Sequence, residues 1–588
     1  MDGKYCSKIV LQILNLRLVK VGAAIKQIEC FKRGVGMMGY GLHSHIVEGQ
    51  KTPLKVRTFF IQNDLNTKRL IWVTPEILSA SQAIKRGVLN LLHQSAPSLN
   101  IKDCELMISA THTHSGPGGY FDYAIYNMTI SGFNPEIYNS IVKAIVDSII
   151  DAYNALEKCE AHLYESSFNN SIKVAFNRSI EAYNQNPEIK SLDYNQRHLA
   201  VNRSMKLIEF SGKKKIGCIN WFGVHTTSVG NDLMNICFDN KGYAAQALET
   251  WKSEIGSENY ISAFAQEASG DVSPNYVWDS KRNRMRGGDV DDYKNAESNG
   301  NSQFELVKEI LNNENKGYFL KDDLDSMLCY VDFTKVKVDP KFSNGLENCR
   351  TGPAAMGLAF FMGATDGMGI PQFLKPIIGG VIGIASFIEG IVSLFDVKTK
   401  ARRKLKKSTQ GKKKVFIETS EGRILCGDTR RYGLAIAIDE TTKYMKRQLK
   451  SGGMHELPWT PDVLPVQIHV LGEVAILGVP AEITTIAGQR LRQTVLNILS
   501  SRGIKDVIIS SYSNAYAGYI TTNEEYSVQA YEGGHTLFGQ WTLAAYQTIF
   551  EKMARAMLIP EEERTIAEAT EPFEFKPSTI ESRTYGKF

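Results

Sequence analysis

Histidine is scarce in this chain, with 11 among 588 residues, so the places where it clusters are informative. The segment Ser109–Tyr120 reads SATHTHSGPGGY. At an extended strand end, side chains alternate between faces, so His112 and His114 point the same way. Two imidazoles on one face, ahead of a Gly-Pro-Gly-Gly loop, suit a metal ion or a metal with a proton carrier. The competing reading of such an H-x-H pair is simple surface placement. His225 closes a second apolar run, NWFGVHTTSV, and Glu482 follows a third, AILGVPAEITT, at the start of a predicted helix. Nitrogen and oxygen ligands at strand ends, with a position left for water, form the arrangement of a catalytic zinc site.

Two further segments are polar, glycine-rich and dense in functional groups. Ala265–Asn275, AQEASGDVSPN, contains Ser273 and follows an apolar run. Ser511–Gly534, SYSNAYAGYITTNEEYSVQAYEGG, holds five tyrosines. A phenol can ligate a metal or donate its hydrogen to an oxyanion, although aromatic packing explains such a run equally well.

These residues need a scaffold of strands that end in loops. Strand-like runs occur at Thr58–Gln62, Leu70–Val73, Leu106–Ala110, Ile216–Phe222, Tyr260–Phe264, Val466–Val470, Val474–Val479 and Val507–Ser511. Apolar residues at spacings of three and four predict helices over Pro75–Gln94, Pro135–Leu156 and Thr485–Leu499. Strand alternating with helix indicates an α/β fold. The expectation is a large catalytic domain of mixed β-sheets flanked by helices, with strand-end loops forming a metal site. No internal repeat is present.

Composition excludes several classes. With 43% hydrophobic and 22% charged residues the chain is globular, not collagenous, coiled-coil or disordered. A net charge of +5 is too small for a nucleic-acid binder. Nine cysteines, with no C-x-x-C spacing, read as buried reduced thiols rather than a zinc knuckle or redox site. The apolar stretch from Ile9 to Val19 is interrupted by Gln12, Asn15 and Arg17 and makes a poor secretory signal. A cytoplasmic or peripheral membrane-associated protein is expected on that ground, with secretion left open. Gly34, Gly36 and Gly39 satisfy the spacing of a dinucleotide fingerprint, but they follow Glu29–Arg33 rather than an apolar strand, so no cofactor is read from them.

One interval departs from the rest. Residues 376–395, PIIGGVIGIASFIEGIVSLF, carry a single charge, Glu389, and ten Lys or Arg lie between Lys398 and Lys414 with no acid among them. The apolar piece is about long enough to span a bilayer, although its glycines and Glu389 make it a mediocre spanning helix. Two readings are open: a core helix followed by a solvated basic loop, or an interfacial anchor for anionic lipid, with 376–414 meeting the membrane surface.

Taken in order, THTHSGPGGY, GVHTTS, SGDVSPN, GVPAEITTIAGQRLR and YITTNEEYSVQAYEGG resemble the neutral ceramidase family. MMGYG at Met37–Gly41 and GLAFFMGATDG at Gly357–Gly367 fit the same family, and the former accounts for the Gly34–Gly39 decoy as a loop lining the substrate entry. The resemblance covers roughly 19–558. It implies a zinc-dependent amidohydrolase with one zinc per chain, cleaving the N-acyl bond of ceramide to sphingosine and a fatty acid. It also implies zinc ligands His112, His225, Glu482 and Tyr519, with His114 beside the metal as proton carrier or oxyanion donor. Arg178, in FNRS, and Tyr531 would polarise the amide carbonyl, and Ser273 matches an essential serine, either nucleophile or substrate anchor. From the residues alone, Ser273 has no legible His and Asp partner, which favours the metal route.

The chain departs from the family pattern in places. Thr226 stands where proline is usual, Ala481 replaces a glycine, and Gly534–His535 is unlike the small residues usual there; these bear on substrate choice more than on the metal. The expected organisation is a catalytic domain over 19–558 containing an apolar and polybasic insertion at 369–414, then a tail at 559–588 too short for the family's C-terminal β-sandwich. The alternatives are a zinc amidohydrolase for another N-acyl lipid or amide, and a non-catalytic lipid-binding relative.

Overall fold

The computed structural model describes residues 18–213, 215–313, 317–432 and 440–586, so most of the poor signal-like stretch lies outside the described residues. Two β-sheets lie face to face at its centre. The larger has nine strands. Its order is Ile261–Ala265, Lys215–Trp221, Ser204–Ser211, Glu157–Ser167, Val19–Gln27, Lys55–Gln62, Arg69–Pro75 and Leu106–Ile108, with Tyr318–Leu320 added beside Glu157–Ser167. Its middle is antiparallel, but the pairs at both ends are parallel. The smaller sheet has the order Leu324–Asp332, Val463–Leu471, Val474–Gly478 and Asp506–Ser510, the last two parallel.

Alternation along the strands sorts the core into layers. Phe59, Trp72, Trp221, Val474, Ile476 and Ile508 fill the space between the sheets. Phe60, Ile71 and Val73 face the other way, against helices Gln82–Ser95 and Pro135–Asn154. Ile468, Leu477 and Ile509 pack against Thr485–Leu499 and Thr542–Ala556. The result is helix, sheet, sheet, helix. Strands covered on both faces lose the polar alternation of a half-exposed strand, which is why Leu70–Val73 and Val474–Val479 read as unbroken apolar runs. The mixed α/β class expected from the sequence is the one observed.

One helix begins later than its periodicity predicts. Pro75 is the last residue of its strand, paired with Val56, and the helix starts at Gln82 behind Ser81, whose hydroxyl caps it by accepting from the Ile84 N–H at 3.1 Å. The intervening loop, apolar enough to mimic a helix, is a backbone support for the site described below. The eight described cysteines are unpaired, and five of them are buried. The C-terminal segment packs on the domain: Arg583 is buried and donates to the carbonyls of Gly453 and Asp122.

The interval 369–414 folds as a helical hairpin. An apolar helix, Lys375–Phe395, turns at Asp396 into a basic helix, Val397–Gln410, capped by the Asp396 carboxylate accepting from the Thr399 N–H. The basic run is therefore helical, not a loop.

Candidate metal centre

Each candidate ligand follows a strand of one of the parallel pairs. His112 comes after Leu106–Ile108, His225 after Lys215–Trp221, Glu482 after Val474–Gly478 and Tyr519 after Asp506–Ser510. Parallel neighbours end on the same side, so their following loops converge. The side-chain nitrogens of His112, His114 and His225 lie within 4.8 Å of one another. Glu482 Oε2 is 2.9 Å from His225 Nε2 and 3.5 Å from His112 Nε2. Glu482 and Tyr519 are partners in a short parallel ladder, which sets them on one face.

The period-two argument for His112 and His114 reaches the right outcome for the wrong reason. The strand ends at Ile108, and His112 adopts a left-handed backbone with φ 75°, an uncommon state for a non-glycine residue. It is held there by the loop before the Gln82 helix: its N–H donates to the Ile77 carbonyl at 2.9 Å and its Nδ1–H to the Leu78 carbonyl at 2.7 Å. Its ring also stacks on Tyr512 at 3.9 Å.

The donor set fits a cation. His225 Nδ1–H donates to the Ser269 and Val272 carbonyls at 2.8 and 3.0 Å. With both Nδ1–H groups tied to backbone, His112 and His225 each turn an Nε2 lone pair toward a buried carboxylate, and His112 Nε2 also lies 3.1 Å from His114 Nε2. Acceptors facing acceptors in a buried site require a positive charge between them. Two imidazoles, a carboxylate and a phenol are a ligand set suited to zinc. Burial drives the His225 and His114 imidazoles below their ordinary range, with Arg178 acting next on His225 and the neighbouring histidines on His114. Burial raises the Glu482 carboxyl, but His112 and His225 outweigh it and hold it well below the usual range. The Glu482 side chain is thereby kept a carboxylate, the form a metal ligand takes.

Beside this cluster lies a second, polar one. Arg178 donates to Tyr519 Oη at 2.9 Å, to the Gly270 carbonyl at 2.8 Å and to Glu532 at 2.9 Å, and lies 3.4 Å from Asp366. Asp366 in turn accepts the Ser273 hydroxyl at 2.6 Å. Short antiparallel pairing of Phe176–Asn177 with Val272–Ser273 brings Arg178 and Ser273 together. Among the described residues no histidine hydrogen-bonds Ser273, so no Ser-His-Asp triad is formed. Tyr531 lies 5.6 Å from Tyr519, ring to ring, with the Arg178 guanidinium 5.4 Å above it. Every candidate site residue from the sequence is thus in one region.

Four residues of this region were not singled out from the sequence. Tyr516 donates to Glu482 Oε1 at 2.5 Å and Tyr512 to Oε2 at 3.3 Å; the tyrosine density was their signal. Asp366 and Glu532 sit in the quoted GLAFFMGATDG and AYEGG stretches, but nothing in their spacing announces an arginine partner.

The family described as neutral/alkaline non-lysosomal ceramidase, N-terminal, matches residues 19–426 and 438–548. The chain belongs to that ceramidase family. It is an enzyme of the ceramidase type, a hydrolase of a linear amide bond. It is 31% identical to the neutral ceramidase of Pseudomonas aeruginosa, over 89% of this chain and 70% of that protein. It is 30% identical to neutral ceramidase A of Dictyostelium discoideum, over 92% and 72%. A solved structure titled "Ceramidase complexed with C2" superposes with a TM-score of 0.76 at 29% identity, covering 94% of this chain and 77% of that one. The Pseudomonas aeruginosa neutral ceramidase crystal structure gives 0.74, covering 95% and 77%.

Within this ceramidase fold, two of the positions read from the sequence as departures lie against the site. Thr226 donates its hydroxyl to the Thr111 carbonyl at 3.1 Å, a bond proline could not make. His535 is buried against Phe360, with ring centroids 3.9 Å apart, and against Tyr519 at 5.7 Å. The glycine decoy is part of the wall: Gly39 has φ 130°, and a Cβ there would come within 2.5 Å of the His114 ring, so only glycine fits.

Proposed function

We propose that this chain hydrolyses the N-acyl amide of ceramide to sphingosine and a free fatty acid, with one zinc held by His112, His225, Glu482 and Tyr519. The observation that carries the reading is the pair of Nε2 lone pairs aimed at the Glu482 carboxylate. When bound, zinc supplies Lewis-acid polarisation and activates water at neutral pH. His114, whose Nδ1 has no partner among the described residues, takes the part of proton carrier to the departing amine. The Tyr531 phenol donates no hydrogen bond within the described chain and is partly exposed, so it is available to a substrate carbonyl. Arg178 holds Tyr519 and Asp366 in place while adding positive charge beside that carbonyl. Ser273, whose hydroxyl donates to Asp366 and which has no imidazole base, anchors a substrate hydroxyl.

The test is His225→Ala, with metal content by elemental analysis and fatty-acid release from ceramide, with and without chelator. Zinc and turnover should be lost together, and chelation should silence the parent protein. Full zinc occupancy in the variant would sink the ligand assignment. A panel of ceramides and N-acyl amino acids then fixes the acyl donor.

A further inference from the structure

The hairpin of Lys375–Phe395 and Val397–Gln410 has two unlike faces. Inward, Ile382 packs with Leu358 and Met362, and Ile378 joins them. Glu389 is buried between the helices, where it accepts from Arg402 at 3.0 Å and Lys406 at 2.8 Å. Lys406 also binds Glu418 at 2.8 Å, so an ammonium already occupies the middle of these carboxylates. The one charge that made the apolar helix a poor membrane element is thus neutralised inside the protein.

Outward, the helix is apolar and bare. Ile377, Ile384, Phe387, Ile388, Leu394 and Phe395 are exposed, Phe387 by 68% and Phe395 by 87%. The steps 377, 381, 384, 388, 391 and 395 follow helical spacing and make one continuous stripe. Soluble surfaces rarely leave a patch of this kind uncovered. Beside it the basic helix exposes Lys400, Arg403, Lys404 and Lys407, with no acidic residue between Val397 and Lys414 to offset them. An apolar stripe bordered by unopposed cations matches the apolar zone of a bilayer beneath anionic headgroups.

The hairpin also connects to the site. Leu358, against Ile382, begins the short helix Leu358–Phe361. Phe360 of that helix lies 5.2 Å from Tyr531 and 3.9 Å from His535, ring to ring.

We propose that the outer face of this hairpin docks on an anionic bilayer, the apolar helix lying in the membrane plane, and that it brings the lipid next to the wall formed by Phe360 and Tyr531. The helix Gln372–Phe395 is long and apolar enough to cross a membrane. Its inner face is nevertheless packed on Leu358 and Met362 and its glutamate is paired with the second helix, so only the outer stripe can enter lipid. The docking itself stands apart from the zinc reading; that the delivered lipid is a ceramide rests on it.

The experiment is flotation of the full chain with vesicles of phosphatidylcholine alone or mixed with phosphatidylserine. It uses Ile384→Ser/Phe387→Ser/Phe395→Ser and Lys400→Glu/Arg403→Glu/Lys404→Glu, all at exposed positions. The parent should bind mixed vesicles more tightly than neutral ones, and less so as salt rises. The serine variant should lose binding to both by at least ~10-fold, and the charge variant should lose only the preference for phosphatidylserine. Both should keep parental turnover of a short-chain, water-dispersed ceramide; loss of that turnover in the parent indicts the functional reading, not the docking. Unchanged vesicle binding in the serine variant overturns the proposal. So does a parent dimer that the serine variant dissolves, which would assign the face to a second copy.

Discussion

At the scale of single residues, the site depends on groups that never touch a metal. Tyr512 and Tyr516 both donate to Glu482, and backbone carbonyls orient the two imidazoles. Burial, and then the Glu482 charge, raise both phenols well above their ordinary range, so they remain donors. Such supporting contacts fix a ligand's direction and basicity, and losing one costs about 10- to 100-fold in metal affinity. If the proposed zinc site is correct, Tyr516→Phe should weaken zinc binding by that factor, read by competition with a chelator, while leaving the fold intact by circular dichroism. Undiminished affinity would reduce Tyr516 to packing.

At the scale of elements, the loops that carry ligands are braced by helix ends. Asn134 caps the helix Pro135–Asn154 by accepting from the Glu136 and Ile137 N–H groups at 3.1 and 3.3 Å. Its own N–H donates to the Gly119 carbonyl at 2.6 Å, tying the cap to the Gly-Pro-Gly-Gly loop after His114. Replacing the cap by alanine removes the side-chain acceptor but not the backbone bond, so Asn134→Ala should cost about 1 kcal/mol in urea unfolding with zinc content unchanged. A zinc loss without a stability loss would mean that the side chain, not the backbone, holds the loop.

At the scale of the whole molecule, buried titratable groups set how stability follows pH. Burial, and then the Asp271 charge, push the Glu525 carboxyl up to about 8. A carboxyl raised on folding binds its proton more tightly in the native state, so its stabilisation is complete at low pH and is lost as pH rises through the folded value. Buried histidines act oppositely: burial lowers His469 and His535 to about 3, and their effect is confined to pH below the unfolded value near 6.5. Burial also lowers Lys241 and Lys413 well below the usual lysine range, and a base lowered on folding makes stability rise with pH, so lysines and carboxyl oppose one another between about pH 6.5 and 8. Thermal unfolding followed over that range in chelated protein should therefore contain a component that falls with pH and belongs to Glu525. Glu525→Gln, which mimics the protonated acid, should remove that falling component and shift the slope upward; an unaltered slope would place the proton elsewhere.

How much of this was legible beforehand depends on the range of the interaction. The strands Leu70–Val73 and Val474–Val479, and the helix Thr485–Leu499, are written in local periodicity, because burying a face imposes a pattern on neighbours in sequence. The types of the proposed ligands His112, His225 and Glu482, and their placement after apolar runs, are read from the same local sequence. The helix start at Gln82 was not: Pro75 and the apolar loop after it mimic a helix, and only pairing with Val56 and the support of His112 keep them extended. Likewise nothing local joins Arg178 to Asp366 and Glu532, or buries Glu389 beneath Arg402 and Lys406. Periodicity records how each segment meets the core. Which loops meet one another, and which charges are thereby paired, is fixed only when parallel strands distant in sequence end on the same side.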